Sequence, residues 1–67
     1  MNIYINDELL QIDENDTLQQ VIDNVQIKRK KGIAVAVDNQ VIPRNQWTHY
    51  YLKENAKVVI ITATQGG

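Results

Sequence analysis

Cysteine is missing altogether from this chain of 67 residues, so it has no disulfide, no thiolate metal ligand and no thiol nucleophile. An uncrosslinked chain this short suits a reducing compartment, and the cytoplasm is the expected location. Histidine is nearly missing too, since His49 stands alone with no carboxylates at ligand spacing. No metal site or catalytic dyad is expected, and His49 reads as a partly exposed loop residue. Long hydrophobic runs are lacking: no window approaches the ~20 apolar residues of a membrane span, and the opening "MNIYINDELL" has no basic start leading into an apolar stretch. The chain is expected to be soluble, with no membrane partner. There is no excess of charge either. Seven Lys and Arg against eight Asp and Glu leave a net charge of -1, which provides no global field to hold nucleic acid. Finally, the chain has room for one small core and no second domain, and a cleft supplying several catalytic groups is hard to build at this size. The expected role is therefore not that of an enzyme but of a protein that works with larger partners.

What is present is a clear succession of periods. In "NIYINDELLQI", Ile3 and Ile5 alternate with Tyr4, Asn6-Asp7 supplies turn chemistry, and Leu10 and Ile12 resume the alternation, which predicts a hairpin. The period then changes, because Leu18, Val21, Ile22 and Val25 fall on one stripe of a helix of about ten residues. Asp16 or Thr17 is the expected N-cap, and Thr17 with Gln20 fits a capping box. The basic run Lys28 to Lys31, followed by Gly32, matches a helix C-terminus and the glycine that commonly follows one. Without interleaved aromatics or a glycine-rich loop, the run is expected to complete the helix end and solvate it; the alternative is contact with an acidic partner surface.

Alternation returns in "GIAVAV", with Ile33, Val35 and Val37 on one face and Ala34 and Ala36 on the other. Asp38-Asn39 tolerates the positive φ of a tight turn into Gln40-Val41-Ile42, and Pro43 ends that strand. "RNQWTHYYLKENA" predicts an irregular connection with about one helical turn, in which Trp47 either packs over the sheet edge or meets a partner. "KVVIIT" is the last strand. Its four consecutive β-branched residues suit a strand apolar on both faces, either central in a sheet or with one face reserved for a partner.

The order is β-β-α-β-β-β, and one helix covers only one face of a sheet of four or five strands. The other face carries Tyr4, Ala34, Ala36 and one alternate set of the last strand, an apolar patch suited to docking. After that strand comes "TATQGG". From Ala63 to Gly67 the extended chain spans on the order of 13 Å. Gly66 and Gly67, lacking Cβ, suit passage through a narrow channel, while Thr64 and Gln65 retain strand-like hydrogen bonding. The terminal carboxylate of Gly67 is unhindered but a poor electrophile until activated, for example as an acyl-adenylate formed by a partner that supplies ATP, magnesium and cationic groups.

The element order, the size and the terminal Gly66-Gly67 together resemble the ubiquitin-like β-grasp fold, an α+β class with a mixed four- to five-stranded sheet packed on one helix. "GIAVAVDNQVIPRNQW" and "KVVIITATQGG", with the Pro43-Arg44 pair and Trp47 three residues on, resemble more closely the ThiS family of sulfur carrier proteins of thiamine biosynthesis. The resemblance covers the whole chain. It implies residues 1–63 as the domain and residues 64–67 as a flexible tail, with Gly67 the modified residue and no catalytic or metal-binding residue. It further implies that a ThiF-like adenylyltransferase uses ATP and magnesium to adenylate Gly67. Conversion to a thiocarboxylate follows, with sulfur ultimately from cysteine through a donor such as a cysteine desulfurase, and thiazole synthase ThiG receives the sulfur. The free chain is expected to bind no cofactor and to be monomeric. The family pattern places Val58 and Ile60 in the core and leaves Val59 and Ile61 to dock partners together with Tyr4 and Ala36; periodicity does not choose between the two sets. One departure from relatives is Asn55-Ala56 in place of a Gly-Asp turn, and Asn keeps access to left-handed backbone. Three other readings stand beside this one: a molybdopterin synthase small subunit, a ubiquitin-like modifier, and a non-covalent interaction module with an inert terminus.

Overall fold

The computed structural model describes residues 1–25 and 32–62. Two strands, β1 (Asn2–Ile5) and β2 (Glu8–Gln11), form the opening hairpin. Its turn residues Asn6 and Asp7 both take positive φ, 48° and 71°, as a two-residue turn matching the strand twist requires. The helix α1 (Leu18–Asn24) begins at Thr17, whose side chain accepts from the Gln20 amide while the Gln20 side chain accepts from the Thr17 amide, the expected capping box. Strands β3 (Ile33–Val37) and β4 (Gln40–Val41) make a second hairpin through Asp38 and Asn39, again with positive φ of 49° and 70°. A 3₁₀ helix (Arg44–His49) starts after Pro43, and β5 (Lys57–Thr62) closes the succession.

The sheet order is β2-β1-β5-β3-β4. The last strand therefore lies at the centre, parallel to β1 and antiparallel to β3. β-branched side chains suit that position, where they pack against cross-strand neighbours on either side. One face of the sheet carries Ile3, Ile5, Val35, Val37 and Val58 against Leu18, Val21 and Ile22 of α1, and Ile42, Trp47, Leu52 and Ala56 complete the core. Ile33, Ile60, Leu10, Ile12 and Val25 pack at its margin. No charged or polar side chain is buried among the described residues.

Two expectations need correction. The helix has seven residues rather than about ten, because Val25 leaves helical geometry (φ -81°, ψ 134°) as the C-cap. A β-branched residue after Asn24 gives weak helical propensity where the chain must turn back to the sheet. The last turn of the helix itself holds no basic residue, and the expectation for Lys28 to Lys31 lies outside the described residues. Gly32 has a positive φ of 72°, which glycine adopts without cost, immediately before β3.

The connection after Pro43 is better ordered than its sequence suggests. Trp47 is buried, and its Nε1–H donates to the Ile42 carbonyl at 2.8 Å. The Arg44 guanidinium lies 5.2 Å from the centre of the indole ring. The indole is thus a core residue and not a partner contact. Asn55 takes φ 66°, the left-handed conformation expected of an asparagine in the turn before β5. Among the described residues, no helix is long and apolar enough to cross a membrane.

Candidate functional site

Residues directly opposite each other in a sheet share a face, and the strand register therefore defines the side that α1 leaves uncovered. Tyr4 stands opposite Leu9 on β2 and beside Lys57 on β5. Val59 stands opposite Ala36, which in turn stands opposite Val41 on β4. Ile61 stands opposite Ala34. Three side chains on β5 decide the phase: Val58 is 1% exposed, whereas Val59 is 42% and Ile61 58% exposed. Tyr4, Leu9 and Val41 are also exposed, and Ala36 is half-buried between its neighbours.

The structure thus brings Tyr4, Ala36, Val59 and Ile61 to one face. Small alanines on β3 leave the β5 side chains standing above their surroundings. Among the described residues of this register Lys57 is the one cation, beside the turn residues Asp7, Asp38 and Asn39. Asp38 anchors that corner, since its N–H donates to the Lys57 carbonyl at 2.8 Å and its Oδ1 accepts from the Lys57 N–H at 3.0 Å. An open depression of about 390 Å³ lies there, lined among others by Tyr4, Asp7, Asp38, Asn39, Lys57 and Val59. Its lining mixes the polar side chains of Asp7, Asp38, Asn39 and Lys57 with Tyr4, Val58 and Val59.

Leu9 and Val41 belong to this face although the alternation pattern did not single them out. Both are legible by counting outward from the two turns. A two-residue turn at Asn6-Asp7 sets Tyr4 opposite Leu9, and one at Asp38-Asn39 sets Ala36 opposite Val41. Among the described residues, no group of three or more His, Cys, Asp or Glu is placed to hold a metal, and His49 is exposed on the 3₁₀ helix. The terminal residues Thr64, Gln65, Gly66 and Gly67 lie outside the described residues. What the structure places is their origin: β5 carries the exposed apolar side chains and runs directly into the segment that ends at Gly67.

A central last strand, a single helix on one face, an open apolar face on the other and a terminal Gly-Gly together describe a β-grasp carrier-like domain. The chain belongs to the ThiS family, whose model matches residues 2–67. It is 25% identical to the sulfur carrier protein ThiS of Escherichia coli (strain K12) over 67 residues, with all of both chains covered. Its fold is similar to that of the thiamine biosynthesis protein ThiS from Geobacter metallireducens, with a TM-score of 0.84, 17% identity and all of both chains covered. The β-grasp fold expected from the order of elements is therefore the fold observed.

Proposed function

We propose that this protein is a sulfur carrier in thiamine biosynthesis, with the Gly67 carboxylate as the group that is activated and loaded. The observation that carries the reading is that the family match extends through Gly67 while the strand leading to that residue presents Val59 and Ile61 outward. Docking face and reactive end are thus parts of one strand and its extension. The chain acts as the substrate of its partners and supplies no catalytic side chain of its own.

In the first step a ThiF-like adenylyltransferase docks on the face of Tyr4, Ala36, Val59 and Ile61 and takes the tail into its own active site. A Gly67 carboxylate oxygen attacks the α-phosphorus of ATP, and pyrophosphate leaves with magnesium neutralising its charge. The acyl-adenylate is now an electrophile. The outer sulfur of a persulfide that a desulfurase draws from cysteine attacks the acyl carbon and expels AMP, and a thiol then cleaves the S–S bond of the resulting acyl disulfide, leaving the thiocarboxylate and a disulfide. Thiazole synthase ThiG then accepts the sulfur. ATP and magnesium belong to the partner's site, and the absence of cysteine from the chain fits a sulfur that rides on the main-chain terminus.

The test is an intact-mass measurement after incubation with ATP, magnesium, the adenylating enzyme and a sulfur source. The expected product is heavier by the difference between one sulfur and one oxygen, with the change localised to Gly67. An unchanged mass despite demonstrated binding of the enzyme would sink the reading. Appearance of the chain in isopeptide linkage to other proteins would point instead to a modifier.

A further inference from the structure

Strand β1 ends at Ile5, and the chain turns away at Asn6, so the β1-facing edge of β5 should lose its partner after Val58. The main-chain ladder stops there: Tyr4 N–H donates to the Ala56 carbonyl and Asn6 N–H to the Val58 carbonyl, each at 2.9 Å. The next rung is made by a side chain. Asn6 Oδ1 accepts from the Ile60 N–H at 2.9 Å, and Asn6 Nδ2 donates to the Ile60 carbonyl at 3.3 Å. One primary amide thus satisfies both polar groups of a single β5 residue, a task that in a parallel ladder falls to two main-chain residues of the neighbouring strand. On the opposite edge β3 accompanies β5 as far as the Ile33 and Thr62 pair. By alternation, the main-chain N–H and C=O of Thr62 face the β1 side, beyond the last main-chain rung. The Asn6 amide is therefore the last tie that the described structure makes to that edge of β5 before the segment bearing Gly67.

We propose that Asn6 is a positioning residue for the chemistry at Gly67: its amide sets the direction in which β5 leaves the sheet, and with it the path of the tail into the adenylating enzyme. This rests on the carrier reading above. Docking through Val59 and Ile61 does not require the tie, because those residues pair with Ala36 and Ala34 on the other edge. Loss of the Asn6 amide affects the reacting end more than the binding face.

Turn and clamp separate cleanly by substitution. Asn6 has φ 48°, which glycine adopts freely, so Asn6→Gly keeps the hairpin and removes only the amide. Asn6→Asp keeps the acceptor for the Ile60 N–H and removes the donor. The measurement is pyrophosphate release with the ThiF-like enzyme, ATP and magnesium, read as kcat and KM for the carrier, alongside hydrogen exchange at the Ile60 amide. For Asn6→Gly the expected result is faster exchange at Ile60, a fall in kcat of about tenfold and a KM within about twofold of the parent, with Asn6→Asp intermediate. A core variant such as Ile22→Val, destabilised to a similar degree, keeps its kcat. Unchanged exchange at Ile60 would remove the clamp, and an unchanged kcat would remove its role. A raised KM at constant kcat would make Asn6 a docking contact and overturn the proposal. If the parent chain itself releases no pyrophosphate, the carrier reading fails and this inference goes with it, an outcome distinct from a variant that matches an active parent.

Discussion

At the scale of single residues, the turns and the tryptophan carry different kinds of information. Asn55, at φ 66°, occupies the left-handed region that Asn tolerates better than most side chains, and so makes the turn into β5 without a glycine. Such positions are legible in sequence because the backbone requirement and the residue type coincide locally. Trp47 is not legible in that way. Its neighbours set no periodicity, and its burial depends on a carbonyl at Ile42 that only the folded chain brings beneath the indole. Trp47→Phe keeps an aromatic ring in the core but removes the donor and leaves the Ile42 carbonyl without it. The expected cost is about 2 kcal/mol. In a domain of this size that lowers the thermal midpoint by roughly 10 °C, a shift that differential scanning calorimetry would read directly.

At the scale of elements, β5 ties fold to function. All of Val58, Val59, Ile60 and Ile61 are β-branched, so no polar residue marks the outer face and the phase is silent in the strand itself; here it came from family likeness. The register supplies the missing information, since Val58 stands opposite Val37 in the core and Val59 opposite Ala36 outside it. The hairpins and the helix start were readable because turn pairs and a capping box act over a few residues. The parallel union of β1 with β5 was not, because it joins residues at opposite ends of the chain and no local pattern encodes it. The helix end was also misjudged, as a run of cations and a glycine imitate a cap six residues beyond the true one. The alternation along β5 yields a sharp contrast. Val59→Asp and Ile61→Asp place a charge on an already exposed face, so thermal stability is expected to stay near the parent while KM for adenylation rises at least about tenfold. Val58→Asp buries an unpaired charge beneath α1 and is expected to unfold the domain. Circular dichroism melts and adenylation kinetics on the three variants check both halves. Equal KM values for Val59→Asp and the parent would remove this face from docking.

At the scale of the whole molecule, the labour is divided between the two sides of one sheet. The covered side, with α1 and Trp47, supplies the core, and the described residues hold no buried charge whose titration would disturb it. On the proposed function, the open side and the terminus serve other proteins. A rigid docking face joined to a short tail fixes a distance: once Val59 and Ile61 are seated, the number of residues after Thr62 decides where the carboxylate arrives. Inserting one glycine between Gln65 and Gly66 preserves the terminal Gly-Gly and leaves the face untouched, yet lengthens the extended tail by about 3.5 Å. Reaction requires the carboxylate oxygen within about 3–3.5 Å of the phosphorus it attacks, so an overlong tail must buckle within a narrow channel or overshoot it. The expected outcome is an unchanged KM with kcat for pyrophosphate release reduced on the order of a hundredfold. An insertion variant as fast as the parent would show that the tail finds its target by slack rather than by measure, and the coupling of face to terminus would have to be abandoned.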